Sequence, residues 1–125
     1  KDITLIATGT MVSESIGAVE LLRESGVDAG LINMHTIKPL DGKAIKTASE
    51  DSRLVVTVEE HSIVGGLGSA VAETLATFDG RSPLLSLGLP DHYEYSGEYR
   101  DILEKSGLVS KEIANSVLRR LAAGV

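Results

Sequence analysis

The stretch that decides the fold is Leu54-Val55-Val56-Thr57-Val58-Glu59-Glu60-His61, followed shortly by Gly65-Gly66-Leu67-Gly68. A run of apolar and β-branched residues predicts a strand buried on both faces, as in a parallel sheet. The charged residues end the apolar run, and the glycines predict a tight turn into a helix. Strand, polar strand end and helix together form the repeating unit of an α/β protein.

The same alternation extends outward from this stretch in both directions. Three further strands are predicted, at Ile3–Ala7, Ala29–Asn33 and 83–88. Helical spacing predicts four core-facing helix faces: Val12, Ile16, Val19 and Leu22; Ala44, Ile45 and Ala48; Ala70, Val71, Thr74, Leu75 and Phe78; and Ile113, Val117, Leu118 and Leu121. The predicted N-caps of helices are Thr10, Asp41, Ser96 and Ser110.

The element order is β-α-β-α-β-α-β-α-α, which predicts crossover connections. We therefore expect one three-layer α/β/α domain over residues 1–125, with a mainly parallel sheet of about five strands and room for one antiparallel edge strand. The chain opens at Lys1 and an apolar run begins at Ile3. This abrupt start predicts a fragment cut from a larger chain at a domain boundary, with a processed natural terminus as the alternative.

Composition excludes several classes of function. The formal net charge of −6 disfavours binding to nucleic acid, and no apolar run reaches the roughly 20 residues that cross a bilayer. Cysteine is absent, so disulfides and thiolate metal sites are excluded. No signal peptide pattern is present, and the composition fits a cytoplasmic protein.

The glycine-rich turn is the first candidate site, because glycines between a strand and a helix can bring backbone N–H groups against a phosphate. As a dinucleotide fingerprint it fails at Val71, where Gly or Ala is needed, and at Gly88, where an acidic ribose ligand is needed. No Gly-Lys-Ser/Thr follows, so it is not a P-loop. The favoured interpretation is that the glycines permit a tight turn and close packing of the helix on the sheet.

Glu59, Glu60 and His61 are the second candidate, since a carboxylate beside an imidazole can transfer protons. Adjacent residues of a strand point to opposite faces, so Glu59 and His61 can share a side whereas Glu60 and His61 cannot. The favoured interpretation is a polar cluster that secures the loop or faces another domain. The histidines show no metal-ligand spacing, and no serine stands in a hydrolase elbow. Tyrosines 93, 95 and 99 either pack a loop onto the domain or form an interface patch.

Several ordered segments resemble the C-terminal domain of transketolases. They are Thr8-Gly9-Thr10, the run from Asn33 to Asp41, the run from Val58 to Val71, Gly88-Leu89-Pro90-Asp91 and Ser106-Gly107-Leu108. The resemblance covers essentially the whole chain and is closest to transketolases split into two shorter chains. Deoxyxylulose phosphate synthase and the β subunits of 2-oxoacid dehydrogenases share this domain and remain alternatives. The tyrosine-rich stretch 91–97 departs from the Phe-Gly-Glu of many relatives.

The resemblance implies a domain that supports the assembly of an enzyme of the pentose phosphate pathway and is inactive alone. In that family, thiamine diphosphate and a divalent metal (Mg or Ca) lie between other domains, across the interface of a homodimer. A two-carbon ketol unit passes from a ketose phosphate to an aldose phosphate, and the cofactor carries the chemistry. The fragment itself is expected to hold neither cofactor nor metal, and its partners are the other transketolase domains or subunit.

A regulatory site is the remaining hypothesis. The crevice at the strand ends resembles a nucleotide pocket, which predicts a site for an anion or another regulator. Its residues are Thr8, Gly9, Glu60, His61, Gly65, Gly66 and Gly68. A further alternative is a docking module for an acyltransferase core, as in 2-oxoacid dehydrogenase complexes.

Overall fold

The computed structural model describes residues 1–35, 40–62, 65–89 and 98–125 of the chain, and for residues 61 and 62 the backbone only. The elements occur in the predicted order. They are β1 (Ile3–Ala7), α1 (Met11–Glu24), β2 (Ala29–Asn33), α2 (Gly42–Asp51), β3 (Leu54–Ser62), α3 (Leu67–Leu75), β4 (Leu84–Leu89), α4 (Tyr99–Lys105) and α5 (Ser110–Ala122).

The sheet has the order β2-β1-β3-β4, and every pairing is parallel. This confirms the α/β class and the mainly parallel sheet. Among the described residues there are four strands instead of about five, and none is antiparallel. β3 is longer than its apolar run suggests, because the polar residues after Val58 continue the strand to Ser62.

Side chains of the sheet alternate between two separate cores. Leu54, Val56 and Val58 of β3 belong to the core under α1 and α5, whereas Val55 belongs to the core under α2 and α3. This alternation follows from the period of two in a strand. Consecutive side chains of β3 therefore pack against different layers of helices.

The core-facing side of α1 is rotated from its predicted position. Val19 and Leu22 are buried as expected, but Ile16 is 49% exposed. The buried positions of this helix are Met11, Ser15, Ala18, Val19 and Leu22. Small residues face inward on α1 because α5 packs close to it: a Cβ at Gly17 would lie 2.3 Å from Ser110 Oγ.

Of the predicted N-caps, Asp41 is confirmed, Thr10 is confirmed in position only, and Ser110 is wrong. The Asp41 carboxylate accepts a hydrogen bond of 3.0 Å from Ala44 N at the start of α2. Thr10 precedes α1 but its side chain makes no capping bond. Ser110 is the first residue of α5, its hydroxyl donates to Glu14 O at 2.8 Å, and the cap position belongs to Val109. Ser96 lies outside the described residues.

Glu14 of α1 supplies what Ser110 was expected to supply. Its Oε1 accepts a 2.9 Å hydrogen bond from Ser110 N, and Arg100 of α4 contacts its Oε2 at 3.1 Å. A carboxylate at a helix N-terminus is favourable because it meets unpaired N–H groups. Glu14 therefore joins α1, α4 and α5.

The remaining expectations for the helices hold in part. Val71 and Leu75 are buried on α3, but this helix ends at Leu75, so Phe78 packs against the same core from beyond it. Ile113 and Val117 are buried on α5 as predicted. None of the helices in the described parts of the chain has the length and apolar character needed to cross a membrane.

Candidate functional site

The carboxyl ends of β1 and β3 meet at the middle of the sheet. The chain leaves β1 toward β2 on one side, whereas β3 and β4 lie on the other, so the strand order reverses between β1 and β3. In open α/β sheets, ligands bind in the crevice at such a switch point. The residues at this place are Thr8 to Thr10 after β1, and Glu59 and Glu60 near the end of β3.

Glu59 is buried and serves α3. Its side chain is on the α3 side of the sheet, with 0% of the residue exposed. Oε1 accepts a hydrogen bond of 2.7 Å from Leu67 N, and Oε2 accepts one of 2.7 Å from Gly68 N. The carboxylate therefore satisfies two of the N–H groups that an α-helix leaves unpaired at its start. The hydrogen-bond partners of Glu59 are thus backbone groups of α3. The predicted pairing of Glu59 with His61 cannot be compared with the structure, because the side chain of His61 lies outside the described residues.

Glu60 points to the opposite face and is half-buried. One of its oxygens, Oε2, accepts hydrogen bonds from the Thr10 hydroxyl and from the Tyr99 hydroxyl of α4. The two hydroxyl oxygens are 3.2 Å apart. Burial, followed by the hydrogen bond to Glu60, raises the pKa of Tyr99 above its ordinary value. Tyr99 thus acts as a neutral hydrogen-bond donor to a carboxylate.

A small crevice lies beside Glu60. It is lined by Thr8, Gly9, Thr10 and Glu60 and has a volume of about 200 Å³. Gly9 has a φ of +56°, a conformation that residues with a side chain rarely adopt. The turn after β1 therefore exposes backbone at the edge of this crevice.

The glycine-rich turn has a structural role that matches the favoured interpretation. Gly65 has a φ of +80°, and its N–H donates to Ser69 Oγ at 2.9 Å. A Cβ on Gly68 would lie 2.7 Å from Ser86 Oγ and 3.2 Å from Thr57 Oγ1. The absence of a side chain at Gly68 therefore lets α3 sit directly on β3 and β4.

The structure divides the seven predicted site residues among different places. Thr8, Gly9 and Glu60 line the crevice described above. Gly65 and Gly66 line another cavity of about 360 Å³, together with Ser69 and Glu73 of α3. Gly68 is buried, and its N–H is donated to Glu59. His61 is part of β3, with its side chain outside the described residues.

Sequence reasoning missed two residues of the crevice region, Thr10 and Tyr99. Thr10 was assigned to a helix cap because capping is the usual role of a threonine before a helix. Tyr99 was grouped with two other tyrosines, which were expected either to pack a loop onto the domain or to form an interface patch. In the structure its hydroxyl binds Glu60 and so holds α4 to the domain, in line with the first interpretation. Tyr93 and Tyr95 lie outside the described residues. No local signal connects Glu60 with a tyrosine 39 positions later.

The carboxylate and imidazole side chains of the described ranges are the potential metal ligands. No group of three His, Asp or Glu side chains there is arranged to hold a metal ion. A divalent metal bound to phosphates needs several oxygen ligands. Phosphate and water oxygens supply most of them, so what is absent from the described ranges is a closed site of three such side chains.

Comparison with known proteins gives the family. The model of the transketolase C-terminal domain matches residues 1–113. The chain belongs to the transketolase C-terminal domain family. It is 41% identical over 121 residues to a putative transketolase C-terminal section of Methanocaldococcus jannaschii, covering 97% of this chain and 37% of that protein.

Other members of this family come from different enzymes. The chain is 42% identical over 124 residues to a 1-deoxy-D-xylulose-5-phosphate synthase of a Synechococcus species, covering 99% of this chain and 19% of that protein. The transketolase C-terminal domain here thus spans well under half the length of the relatives it matches.

Solved structures of transketolases carry the same fold. A split-gene transketolase, solved as an inactive β4 tetramer, superposes with a TM-score of 0.86 at 34% identity, covering 98% of this chain and 39% of that one. A transketolase from Pichia stipitis superposes with a TM-score of 0.68 at 18% identity, over 97% of this chain and 16% of that one. The second likeness concerns the fold alone.

Proposed function

We propose that this chain is the C-terminal domain of a transketolase and supports assembly of the enzyme. That enzyme transfers a two-carbon ketol unit from a ketose phosphate to an aldose phosphate in the pentose phosphate pathway. The observation that carries the proposal is the likeness to the split-gene transketolase, at 34% identity over 98% of this chain. That relative is inactive as a β4 tetramer, which supports the need for a partner chain.

The contacts at the strand ends support a role outside the chemistry. Both oxygens of Glu59 bind the first turn of α3, and Glu60 binds hydroxyls of the same domain. A general acid or base must reach the proton that it transfers, and Glu59 is buried against its own helix. The carboxylates of Glu59 and Glu60, which were candidates for proton transfer, therefore have structural partners within the domain.

Thiamine diphosphate and its divalent metal are assigned, in this proposal, to the other domains of the enzyme. When bound, the cofactor supplies the carbon nucleophile of ketol transfer. Among the described residues, no group of three His, Asp or Glu side chains is arranged to hold a metal ion. The partners proposed here are the remaining transketolase domains or subunit, in a homodimeric enzyme of the cytoplasm.

The experiment joins this chain to the missing domains, supplied as a longer chain or as a second subunit. Xylulose 5-phosphate, ribose 5-phosphate, thiamine diphosphate and Mg²⁺ are added, and formation of sedoheptulose 7-phosphate is followed. We expect turnover by the joined protein, and none by the 125-residue chain or by the other domains alone. Ketol transfer by the 125-residue chain alone would refute the non-catalytic role.

A second candidate has a specific observation behind it. The 42% identity to a 1-deoxy-D-xylulose-5-phosphate synthase is as high as the identity to the putative transketolase section. The same reconstituted protein is therefore given pyruvate as the donor, which loses CO₂, and glyceraldehyde 3-phosphate as the acceptor. Formation of deoxyxylulose phosphate without ketol transfer would replace the transketolase proposal with the synthase.

A further inference from the structure

The crevice at the switch point has the place of a binding site but too little room for a nucleotide. We call it the switch-point crevice and define it by Thr8, Gly9, Thr10 and Glu60. Its volume of about 200 Å³ is below the roughly 300–1,000 Å³ of pockets that hold drug-sized molecules. A ligand that fits must therefore be small.

The groups at the crevice already bind hydroxyls. Two hydroxyl donors, from Thr10 and Tyr99, converge on the same oxygen of Glu60. Tyr99 arrives from α4, and half of the residue stays exposed to solvent. Its hydroxyl is therefore held at the crevice mainly by polar contacts and can be replaced without unpacking a buried ring.

The charge at the crevice disfavours the anion that the glycine-rich turn suggests from sequence. A phosphate placed here would meet the Glu60 carboxylate in a protein of net charge −6. The two N–H groups at the start of α3 that would attract it are donated to Glu59. A carboxylate, threonine hydroxyls and exposed backbone suit a neutral partner that donates and accepts hydrogen bonds.

We propose that the switch-point crevice binds a small uncharged polyol, and that the Tyr99 hydroxyl is the internal group that such a ligand displaces from Glu60. This goes beyond the role in transketolase assembly and does not depend on it, because the binding is measured on this chain alone. It gives the predicted regulatory site a ligand class and removes the glycine-rich turn from it.

The test uses erythritol, a four-carbon polyol, as the probe and inorganic phosphate as the competing class. Each is titrated into the isotope-labelled chain, and the amide resonances of Thr8, Gly9 and Thr10 are followed together with the ring of Tyr99. We expect erythritol to shift all of these, since the ligand and the Tyr99 hydroxyl compete for one carboxylate. Phosphate is expected to leave them unchanged.

Variants separate displacement from nonspecific binding. Tyr99→Phe removes the competing hydroxyl and should tighten erythritol binding about tenfold, the effect of one hydrogen bond to a charged group. Glu60→Ala should abolish the shifts. Glu50→Gln is the control, because it neutralises an exposed glutamate of α2, and it should bind like the parent chain.

Two results would overturn the proposal. One is the absence of erythritol shifts in the parent chain. The other is a set of phosphate-induced shifts at the same amides, which would restore the anion site expected from sequence. The parent chain is itself a test that needs no variant, so a misfolded variant would leave the experiment decisive.

Discussion

Glu59 and Glu60 are neighbours in sequence but have opposite environments. Glu59 is fully buried and accepts two backbone N–H groups, each at 2.7 Å. Glu60 is half-buried and accepts two side-chain hydroxyls. The difference arises because consecutive residues of β3 face different helix layers. Two identical residues thus hold different helices to one strand, α3 through Glu59 and α4 through Glu60.

Exposure, more than residue type, decides what a carboxylate contributes to stability. A buried N–H that loses its acceptor keeps the full cost of desolvation, whereas an exposed hydroxyl can turn to water. The Glu59 side of the sheet should therefore be sensitive to substitution, and the Glu60 side tolerant.

Glu59→Ala should have the largest effect. It leaves two buried N–H groups of α3 without an acceptor, at about 1–3 kcal/mol each, so we expect a loss of about 3 kcal/mol of unfolding free energy. Urea denaturation measures it. Glu60→Ala is the matched control and should cost about 1 kcal/mol or less. Equal losses for the two variants would contradict the comparison.

Gly68→Ala tests the same side of the sheet by packing. The new Cβ would lie 2.7 Å from Ser86 Oγ and 3.1 Å from Ser86 Cβ, so we expect a destabilisation of about 1–3 kcal/mol by thermal or urea unfolding. Adding Ser86→Ala should recover part of it. Gly42→Ala is the control, because its Cβ would meet nothing closer than Thr74 Cγ2 at 3.9 Å. A neutral Gly68→Ala would show that α3 can move away from the sheet.

Glu14 belongs to the Glu60 side but serves a helix start, as Glu59 does. Burial alone would raise its pKa, but the hydrogen bond from Ser110 N and the contacts with Arg100 outweigh it and lower the pKa. A lowered folded-state pKa stabilises the protein above the unfolded-state pKa, and this contribution is lost as the pH falls through the folded-state pKa. Glu14→Gln should therefore be destabilising near pH 7, and the difference from the parent should shrink in acid.

Urea unfolding at several pH values measures this effect. Glu104→Gln is the control, because Glu104 also contacts Arg100 but its side chain is 55% exposed. It should alter the pH dependence far less than Glu14→Gln does. A difference between parent and Glu14→Gln that stays constant from neutral to acid pH would contradict the role given to the carboxylate.

Glu60→Gln should have the smallest effect on stability and a clear effect on one titration. Burial and the hydrogen bond to Glu60 raise the pKa of Tyr99, so removing the charge should lower it toward the ordinary tyrosine value. Titration of the Tyr99 ring carbons by NMR measures the change. Glu59→Gln lies on the other face and should leave this pKa in place. An unchanged Tyr99 pKa in Glu60→Gln would contradict the hydrogen bond between Tyr99 and Glu60.

The parts of the fold that local sequence determines were predictable. β1 and β2 have the predicted bounds, and Asp41 caps α2 because its partner is three residues away. Gly26, with a φ of +83°, follows the end of α1, where a glycine commonly ends a helix. Apolar runs, helical spacing and local turns carry enough information for these features.

Features that depend on distant partners were not predictable. Thr10 and Ser110 look like helix caps, but their hydroxyls bind residues 50 and 96 positions away, Glu60 and Glu14. Ile16 was wrongly placed in the core, because the side of α1 that faces inward depends on the close approach of α5. The candidate site was predicted at the correct end of the sheet, yet its division into separate places depends on which way each side chain of β3 points.

The alternation at the end of β3 also limits how this domain can vary in length. A residue inserted between Val58 and Glu59 would turn Glu59 away from α3, so the buried N–H groups of Leu67 and Gly68 would lose their acceptor. Such an insertion would therefore weaken the attachment of α3 to the sheet. Insertions and deletions among homologous domains are therefore expected to avoid β3 and to collect in connections such as residues 76–83, which join α3 to β4.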